Sequence, residues 1–240
     1  MQLSSSTAIE IDSLTKTYGN HDVLENLSMV VNWGDVVSIF GPNGSGKTTL
    51  IRILATLSSP SSGKIHISGL DSQEYSHYLR RSIGVLTHDS MLYSHLTGLE
   101  NLRFYGGLFH VANPERRITE IAESLNLSSF LNKRVDTMSH GMRRRISLAR
   151  SILHDPPILL LDEPDAGIDQ VALDILGSIT VSSKGKRTVL MTTHNIEIGF
   201  SLSNRIAIIS GGKIAYTEGS ASKNIDQFKD IYKSFTRVSN

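Results

Sequence analysis

The chain has 240 residues, with 24 Lys and Arg against 23 Asp and Glu, and it contains no cysteine. This length predicts one large domain, which can bury a sufficient core without disulfides or structural metals. The lack of cysteine excludes disulfides, cysteine-ligated zinc, iron–sulfur clusters and thiol catalysis. A formal net charge of +1 provides no overall basic field, so we expect no direct nucleic-acid partner.

The apolar runs of the sequence are short. Runs such as residues 158–161 fall far below the ~20 residues that a membrane-spanning helix needs. Residues 1–6 contain neither a basic segment nor an apolar core, so we expect no signal peptide. Any role at a membrane is therefore expected to depend on partner proteins.

Short apolar runs alternate with segments of helical periodicity, which predicts an α/β fold with a mainly parallel sheet covered by helices. Continuous apolar runs are typical of strands that are buried on both faces. They occur at Val36–Phe40, Ile83–Leu86, Ile158–Leu161, Thr188–Met191 and Arg205–Ile209. Shorter, partly alternating runs predict an antiparallel β flank. They occur at Ile9–Asp12, Leu27–Val31, Lys64–Ile67 and Lys213–Thr217.

Between residues 88 and 155 the strand pattern gives way to helical spacing, which predicts a helical insert. We expect a single domain, 1–240, with its core at about 1–87 and 156–219 and a C-terminal helix at about 221–237. An apolar stripe from Ile225 to Phe235 predicts that this helix docks on its own domain. Binding of the helix to a partner protein is the alternative.

Residues 41–48 fit the pattern G-x-x-x-x-G-K-[ST] at every fixed position, between an apolar strand and a helix. In such a P-loop, glycines allow backbone N–H groups to face phosphate oxygens at a helix N-terminus. We expect Lys47 to bridge the β- and γ-phosphates and the Thr48 hydroxyl to ligate Mg²⁺. The candidate phosphate-binding residues are Gly41, Pro42, Asn43, Gly44, Ser45, Gly46, Lys47, Thr48 and Thr49.

Two carboxylates, Asp162 and Glu163, follow the apolar strand Ile158–Leu161. Acids at the carboxyl end of a buried strand belong at the ligand edge of the sheet. We expect Asp162 to hold Mg²⁺, through water, because Mg²⁺ dehydrates reluctantly. We expect Glu163 to orient or deprotonate the attacking water. The alternative is that both acids are solvated residues of a loop. The presence of a P-loop in the same chain makes this alternative the weaker interpretation.

A histidine, His194, follows the predicted strand that begins at Thr188, and it would reach the same edge of the sheet. A lone histidine after a strand is more often structural than catalytic. Its place beside two other strand ends with candidate site residues favours a contact with the γ-phosphate. We therefore count His194 with Glu163 and Lys47 as candidate catalytic residues.

These motifs, in this order, resemble the ATP-binding subunit of ATP-binding-cassette (ABC) transporters over about residues 9–218. The resemblance implies ATP and Mg²⁺ as cofactors, and it implies that Tyr18 stacks on adenine. It also matches residues 166–169 to the D-loop of the family, with Asp169 in its last position. The implied partners are a second copy or a related cassette, around two ATP molecules, and integral membrane subunits. The implied location is the cytoplasmic face of the cell membrane.

Residues 138–144, at the end of the helical segment, look like the signature LSGGQ-x-[RK] of the same family. His140 stands for the first glycine and Met142 for the glutamine, whereas Ser139 and Gly141 are retained. The resemblance implies that Ser139 and Gly141 contact the γ-phosphate held by the other subunit. Ser139 also suits a helix N-cap, which leaves N–H groups for an anion.

Another departure from the family occurs at His88, where most members have glutamine. A neutral imidazole accepts one hydrogen bond but cannot copy the combined acceptor and donor of an amide. His88 is therefore a candidate nucleotide-site residue with an altered contact to Mg²⁺ or water. The arginine runs 80–81 and 143–145 are expected to be solvated helix faces rather than a site for an anionic partner.

Several features resemble one branch of the ABC family, the haem exporter of cytochrome c maturation. They are the loop with His88, the stretch 92–105, the small size and the stretch 199–207. This branch implies ATP-driven export of haem. The alternatives are the ATPase of a drug, lipid or polysaccharide exporter and, less favoured, a soluble P-loop ATPase or small-molecule kinase without a transport role.

Overall fold

The computed structural model describes residues 6–165, 177–179, 187–219 and 224–236. The strands, in chain order, are β1 (Thr7–Tyr18), β2 (His21–Asn32), β3 (Val36–Phe40), β4 (Ser62–Ile67), β5 (Leu70–Asp71), β6 (Ile83–Leu86), β7 (Ile158–Asp162), β8 (Thr188–Thr192), β9 (Arg205–Ser210) and β10 (Lys213–Gly219). The helices are α1 (Lys47–Leu54), α2 (Ser76–Leu79), α3 (Gly98–Leu108), α4 (Pro114–Ser124), α5 (His140–Ile152), α6 (Ile196–Leu202) and α7 (Ile225–Thr236), with a 3₁₀ turn at Val135–Thr137.

The main sheet has six strands in the order β10-β9-β3-β8-β7-β6. Strand β3 is parallel to β8 and β9, and β7 is parallel to β6 and β8. Every residue of β3, β7 and β8 is buried, as expected for strands covered on both faces. Strands β6 and β9 are also mostly buried, so the five predicted strands are confirmed.

The register of the parallel strands positions the site. Ile39 of β3 lies opposite Thr192 of β8, and Thr192 also lies opposite Asp162 of β7. The carboxyl ends of three neighbouring strands therefore meet at one edge. The segments that begin at Gly41, Glu163 and Thr193 leave the sheet from this edge, where parallel α/β sheets bind their ligands.

A second sheet of four strands, ordered β2-β1-β4-β5, supplies the predicted antiparallel flank. One predicted member lies elsewhere. Residues 213–217 belong to β10, which pairs antiparallel with β9 at the edge of the main sheet. The reason is the tight turn at Gly211 and Gly212, both at positive φ, which returns the chain alongside β9. Apolar residues of α1 pack in one core cluster with residues of both sheets.

Helices α3, α4 and α5 lie between β6 and β7 in the chain. Helix α3 begins with a capping box, in which Thr97 and Glu100 satisfy each other's backbone N–H groups. The apolar side chains of these helices, such as Leu102 and Ile146, share a core cluster with Leu159 and Leu161 of β7. The helical segment is therefore packed directly onto the strand that ends at Asp162.

Helix α7 docks on its own domain, which confirms the preferred interpretation of its apolar stripe. Phe228 is fully buried, with its ring 4.9 Å from that of Phe40 and 6.0 Å from that of Phe200 of α6. Phe40 is the last residue of β3, so α7 packs directly behind the start of the P-loop. Among the described helices, none is both long and apolar enough to cross a membrane.

Candidate nucleotide site

The P-loop connects β3 to α1 and forms the wall of a cavity of about 470 Å³. Gly46, just before α1, has φ 101°, a conformation that residues with a side chain rarely adopt. A methyl group there would lie 2.5 Å from Leu24 Cδ2. The cavity is lined by His21, Val23, Asn43, Gly44, Ser45, Gly46, Lys47, Thr48, Thr49 and Glu163.

Lys47 places a buried cation at this cavity. Its Nζ donates to the carbonyl oxygens of Gly41 and Pro42, at 2.8 and 3.0 Å. Burial lowers the pKa of Lys47, and the carboxylates of Glu163 and Asp162 oppose that shift. A desolvated ammonium gains most from an anionic partner, so this corner of the cavity suits a phosphate group.

Asp162 is the point where three segments meet. Its carboxylate is buried, and Oδ1 accepts hydrogen bonds from the Thr48 hydroxyl at 3.2 Å and the Thr192 hydroxyl at 2.8 Å. The structure thus brings together Thr48 and Asp162, the two expected Mg²⁺ ligands, which lie 114 positions apart in the chain. Both offer oxygen, the ligand atom that Mg²⁺ prefers.

Glu163 is held in a left-handed backbone conformation, with φ 46°. Its N–H donates to the Thr192 carbonyl oxygen at 3.1 Å and the Thr192 hydroxyl at 3.0 Å. Its carboxylate oxygen Oε1 contacts Nε2 of His194. The expectation that Glu163 and His194 reach the same edge of the sheet therefore holds. Glu163 lines the P-loop cavity, whereas His194 lines a neighbouring cavity that Glu163 also lines.

Arg144 is a site residue that the sequence interpretation missed, because the run 143–145 was expected to be a solvated face. The side chain of Arg144 is instead buried, and it donates to the carbonyl oxygens of Thr87, Asp162 and Glu163. Burial lowers the pKa of Arg144, while nearby acids, first of all Asp162, oppose this shift. Its helical spacing from Ser147, Leu148 and Ser151, all buried, was the available signal.

The other arginine run behaves as expected, because Arg80 and Arg81 are exposed. Six predicted nucleotide-binding residues are absent from the lining of the P-loop cavity: Tyr18, Gly41, Pro42, His88, Ser139 and Gly141. Tyr18, at the end of β1, is half-exposed under the ammonium of Lys16. His88 and Ser139 are exposed on other segments, and Asp169 lies outside the described residues.

Ser139 does cap a helix as predicted. Its hydroxyl accepts a hydrogen bond from the N–H of Met142 at 3.3 Å, and α5 runs for 13 residues from this cap. The N-terminus of α5 is therefore a positively polarised, exposed end. Within one chain it does not reach the P-loop cavity.

The residues fit a magnesium nucleotide. In the described part of the chain, the Ser45 hydroxyl is buried at the loop without a hydrogen-bond partner. The same part holds no group of three or more His, Cys, Asp or Glu side chains that could bind a metal by themselves. Mg²⁺ is usually held by one or two protein oxygens together with substrate phosphates, which is the donor set that Thr48 and Asp162 can complete.

Comparison with known proteins decides the family. The family model described as ABC transporter matches residues 24–166. The chain belongs to the ABC transporter family. It is 37% identical over 220 residues to the daunorubicin resistance ATP-binding protein DrrA3 of Streptomyces coeruleorubidus, covering 90% of this chain and 69% of the relative. It is 34% identical to the Nod factor export ATP-binding protein I of Rhizobium etli, covering 92% and 71%.

Solved structures agree with this assignment. A structure of the ATP-binding subunit of an ABC transporter has a TM-score of 0.86 at 25% identity, over 95% of this chain and 100% of that chain. A dimeric structure of the ATP-binding cassette MJ0796, in a post-hydrolysis state with ADP and Pi, has a TM-score of 0.80 at 26% identity, over 88% and 98%. The chain is thus an ABC ATPase, with the predicted α/β fold, and its ATP hydrolysis is coupled to transport.

Two of the three glycines of the P-loop test how closely the loop packs. Gly46→Ala should lower the free energy of unfolding by about 2–5 kcal/mol, because the left-handed φ and the clash both add to the loss. Gly44→Ala is the matched control: Gly44 has φ 78°, but a methyl group there meets nothing within 4 Å. It should lose only ~1–2 kcal/mol. Urea unfolding without nucleotide measures the free energy of unfolding of both variants. Equal losses would contradict the tight packing of Gly46 against Leu24.

Proposed function

We propose that this ABC ATPase binds MgATP at residues 41–49, hydrolyses it with Glu163 as the base, and drives export through separate membrane subunits. The observation that supports it most is the meeting of Thr48, Asp162 and Glu163 at one edge of the main sheet. Thr48 lies 114 positions before Asp162 in the chain, and together the three side chains offer what phosphoryl transfer to water needs.

Binding of the nucleotide is assigned to the P-loop. Its N–H groups and the ammonium of Lys47 would face the phosphates, and the hydroxyl of Thr48 and the carboxylate of Asp162 would hold Mg²⁺. Bound Mg²⁺ would neutralise charge on the phosphate oxygens. Tyr18 would contribute base stacking, which is worth ~1–3 kcal/mol per base in single-strand binders.

Hydrolysis is assigned to the pair formed by Glu163 and His194. The Glu163 carboxylate would accept a proton from the attacking water, and a positioned base of this kind contributes roughly 10²–10⁴-fold to a rate. His194 contacts that carboxylate through Nε2 and would orient it and reach the γ-phosphate. Thr192 supports the pair because it fixes the Glu163 backbone and bonds Asp162.

A second chain would complete the site. Ser139 and Gly141 lie at the exposed N-terminus of α5, away from the P-loop of their own chain, and helix N-termini bind anions. Two copies related by a two-fold axis would place each α5 N-terminus against the partner's nucleotide. The dimeric cassette MJ0796 supports this arrangement. His88 would face the same interface, and the match of residues 166–169 to the D-loop of the family assigns Asp169 to it as well.

The cargo is best inferred from the relatives. Their names concern daunorubicin resistance and Nod factor export, so they support the ATPase of a drug, lipid or polysaccharide exporter better than haem export. Membrane subunits would hold the chain at the cytoplasmic face of the cell membrane. Identification of the membrane proteins that co-purify with the chain tests this choice, and haem-handling subunits would restore the cytochrome c maturation branch.

The catalytic assignment predicts a split between binding and turnover. Glu163→Gln keeps the shape of the side chain and loses the base, so kcat should fall at least ~100-fold while MgATP affinity changes less than about threefold. Glu197→Gln, which changes an exposed acid at a neighbouring helix, should leave both quantities near the normal values. Hydrolysis by the Glu163→Gln protein at the normal rate would rule out this role.

The composite site predicts that a damaged copy inactivates its partner. We expect one damaged site to stop hydrolysis at both sites of a dimer. Equal amounts of Ser139→Arg and normal chain, mixed where dimers predominate, should then retain ~25% of the normal ATPase rate, because only about a quarter of the dimers contain two normal chains. Ser128→Arg, an exposed serine of the same helical segment, is the control and should leave the rate unchanged. A strictly additive mixing curve for Ser139→Arg would contradict inactivation of the partner.

A further inference from the structure

One buried guanidinium joins three segments around the candidate site. Arg144 lies on α5, and its Nη1 donates to the Thr87 carbonyl oxygen at 2.6 Å. Its Nη2 donates to the carbonyl oxygens of Asp162 and Glu163, both at 2.7 Å. Thr87 directly precedes His88, Asp162 is the last residue of β7, and Glu163 follows it. A single side chain thus connects α5 with the ends of β6 and β7.

These bonds hold the Glu163 main chain in an uncommon conformation. A residue other than glycine at positive φ costs energy and persists only where its surroundings fix it. The Glu163 N–H is held by Thr192 and the Glu163 carbonyl oxygen by Arg144, so its peptide groups are fixed from both sides. The direction of the Glu163 side chain towards His194 follows from that backbone.

The arginine side chain is better suited than a lysine side chain to donate to these three carbonyl oxygens. A guanidinium is a rigid planar fork and remains protonated, so it can serve several carbonyl oxygens in fixed directions. The ammonium of lysine is a compact point charge without the planar fork, so it would not reproduce the same three hydrogen bonds. The contact therefore sets positions as well as supplying attraction.

We propose that Arg144 is a positioning residue for hydrolysis, which fixes the Glu163 main chain to helix α5. The same helix begins at Ser139, the residue proposed to meet the partner's nucleotide. A displacement of α5 on formation of the composite site would therefore move the carbonyl oxygens of Thr87, Asp162 and Glu163 together. This inference rests on the proposed function, in which Glu163 is the base.

Arg150 provides a matched structural control on the same helix. It is also buried, and its Nη2 donates to the Val85 carbonyl oxygen of β6 at 2.7 Å. Burial lowers the pKa of Arg150 as it does that of Arg144. Arg150 stacks against Tyr105, whereas its bonded carbonyl oxygen belongs to the interior of β6 and not to the Glu163 segment. Its loss should therefore weaken the fold without moving the base.

The experiment measures kcat, KM and the folded fraction for Arg144→Met, Arg150→Met and the normal chain. Arg144→Met should lose at least ~10-fold in kcat per folded molecule, with KM within about threefold, because small misplacements of a catalytic group are costly. Arg150→Met should lose stability and keep its kcat. Equal losses of kcat in the two variants would overturn the inference in favour of general packing.

A double variant shows whether Arg144 acts through Glu163. If it does, adding Arg144→Met to Glu163→Gln should lower the residual rate no further, since residues that act as a unit are not additive. An additional loss equal to that of Arg144→Met alone would overturn the inference. Normal hydrolysis by Glu163→Gln would instead overturn the proposed function, so the two failures are distinguishable.

Arg144→Lys covers the case in which the methionine variant does not fold. It retains a buried cation but not the fork, and it should lose at least ~5-fold in kcat with KM little changed. Normal kcat in a folded Arg144→Lys protein would overturn the positioning role.

Discussion

The buried carboxylate of Asp162 is the interaction on which the rest of the site depends. Taking an ionised carboxylate out of water costs several kcal/mol unless other groups compensate it. Here the hydroxyls of Thr48 and Thr192 compensate it, and they belong to α1 and β8. Because β3, β8 and β7 are neighbours in parallel register, these hydroxyls reach the carboxylate without distortion. The P-loop helix and the strand that carries Asp162 are thus set against each other by the sheet itself.

Around this point the site is supported from two sides. The helical segment reaches the sheet edge through Arg144, whose guanidinium donates to the carbonyl oxygens of Asp162 and Glu163. On the other side, Gly199 of α6 lies so close to Phe40 that a methyl group there would be 2.6 Å from the ring. Phe228 of α7 packs on the same ring. The α6 helix that follows His194 is therefore fixed against the strand that leads into the P-loop.

Much of this arrangement could be predicted from the sequence, because its signals are local. The P-loop spacing, the buried strands and the acids after Leu161 are short patterns with one physical meaning each. Arg144 was missed because three adjacent arginines look like a solvated face, and only the helical phase of α5 separates the buried one from the others. The sheet to which β10 belongs could not be predicted, because it depends on pairing with β9 across the turn at Gly211 and Gly212. The cargo branch was not predictable from ATP chemistry, since all ABC transporter ATPases share it.

The most direct test concerns the link between Asp162 and the metal of the nucleotide. The affinity of a fluorescent ATP analogue can be measured with Mg²⁺ and with EDTA, for the normal chain and for Asp162→Asn, which keeps an oxygen for both threonine hydroxyls. The account predicts that Mg²⁺ tightens binding to the normal chain by ~10-fold, equivalent to about 1.4 kcal/mol, and changes binding to Asp162→Asn by less than about twofold. An equal effect of Mg²⁺ on the two proteins would contradict it.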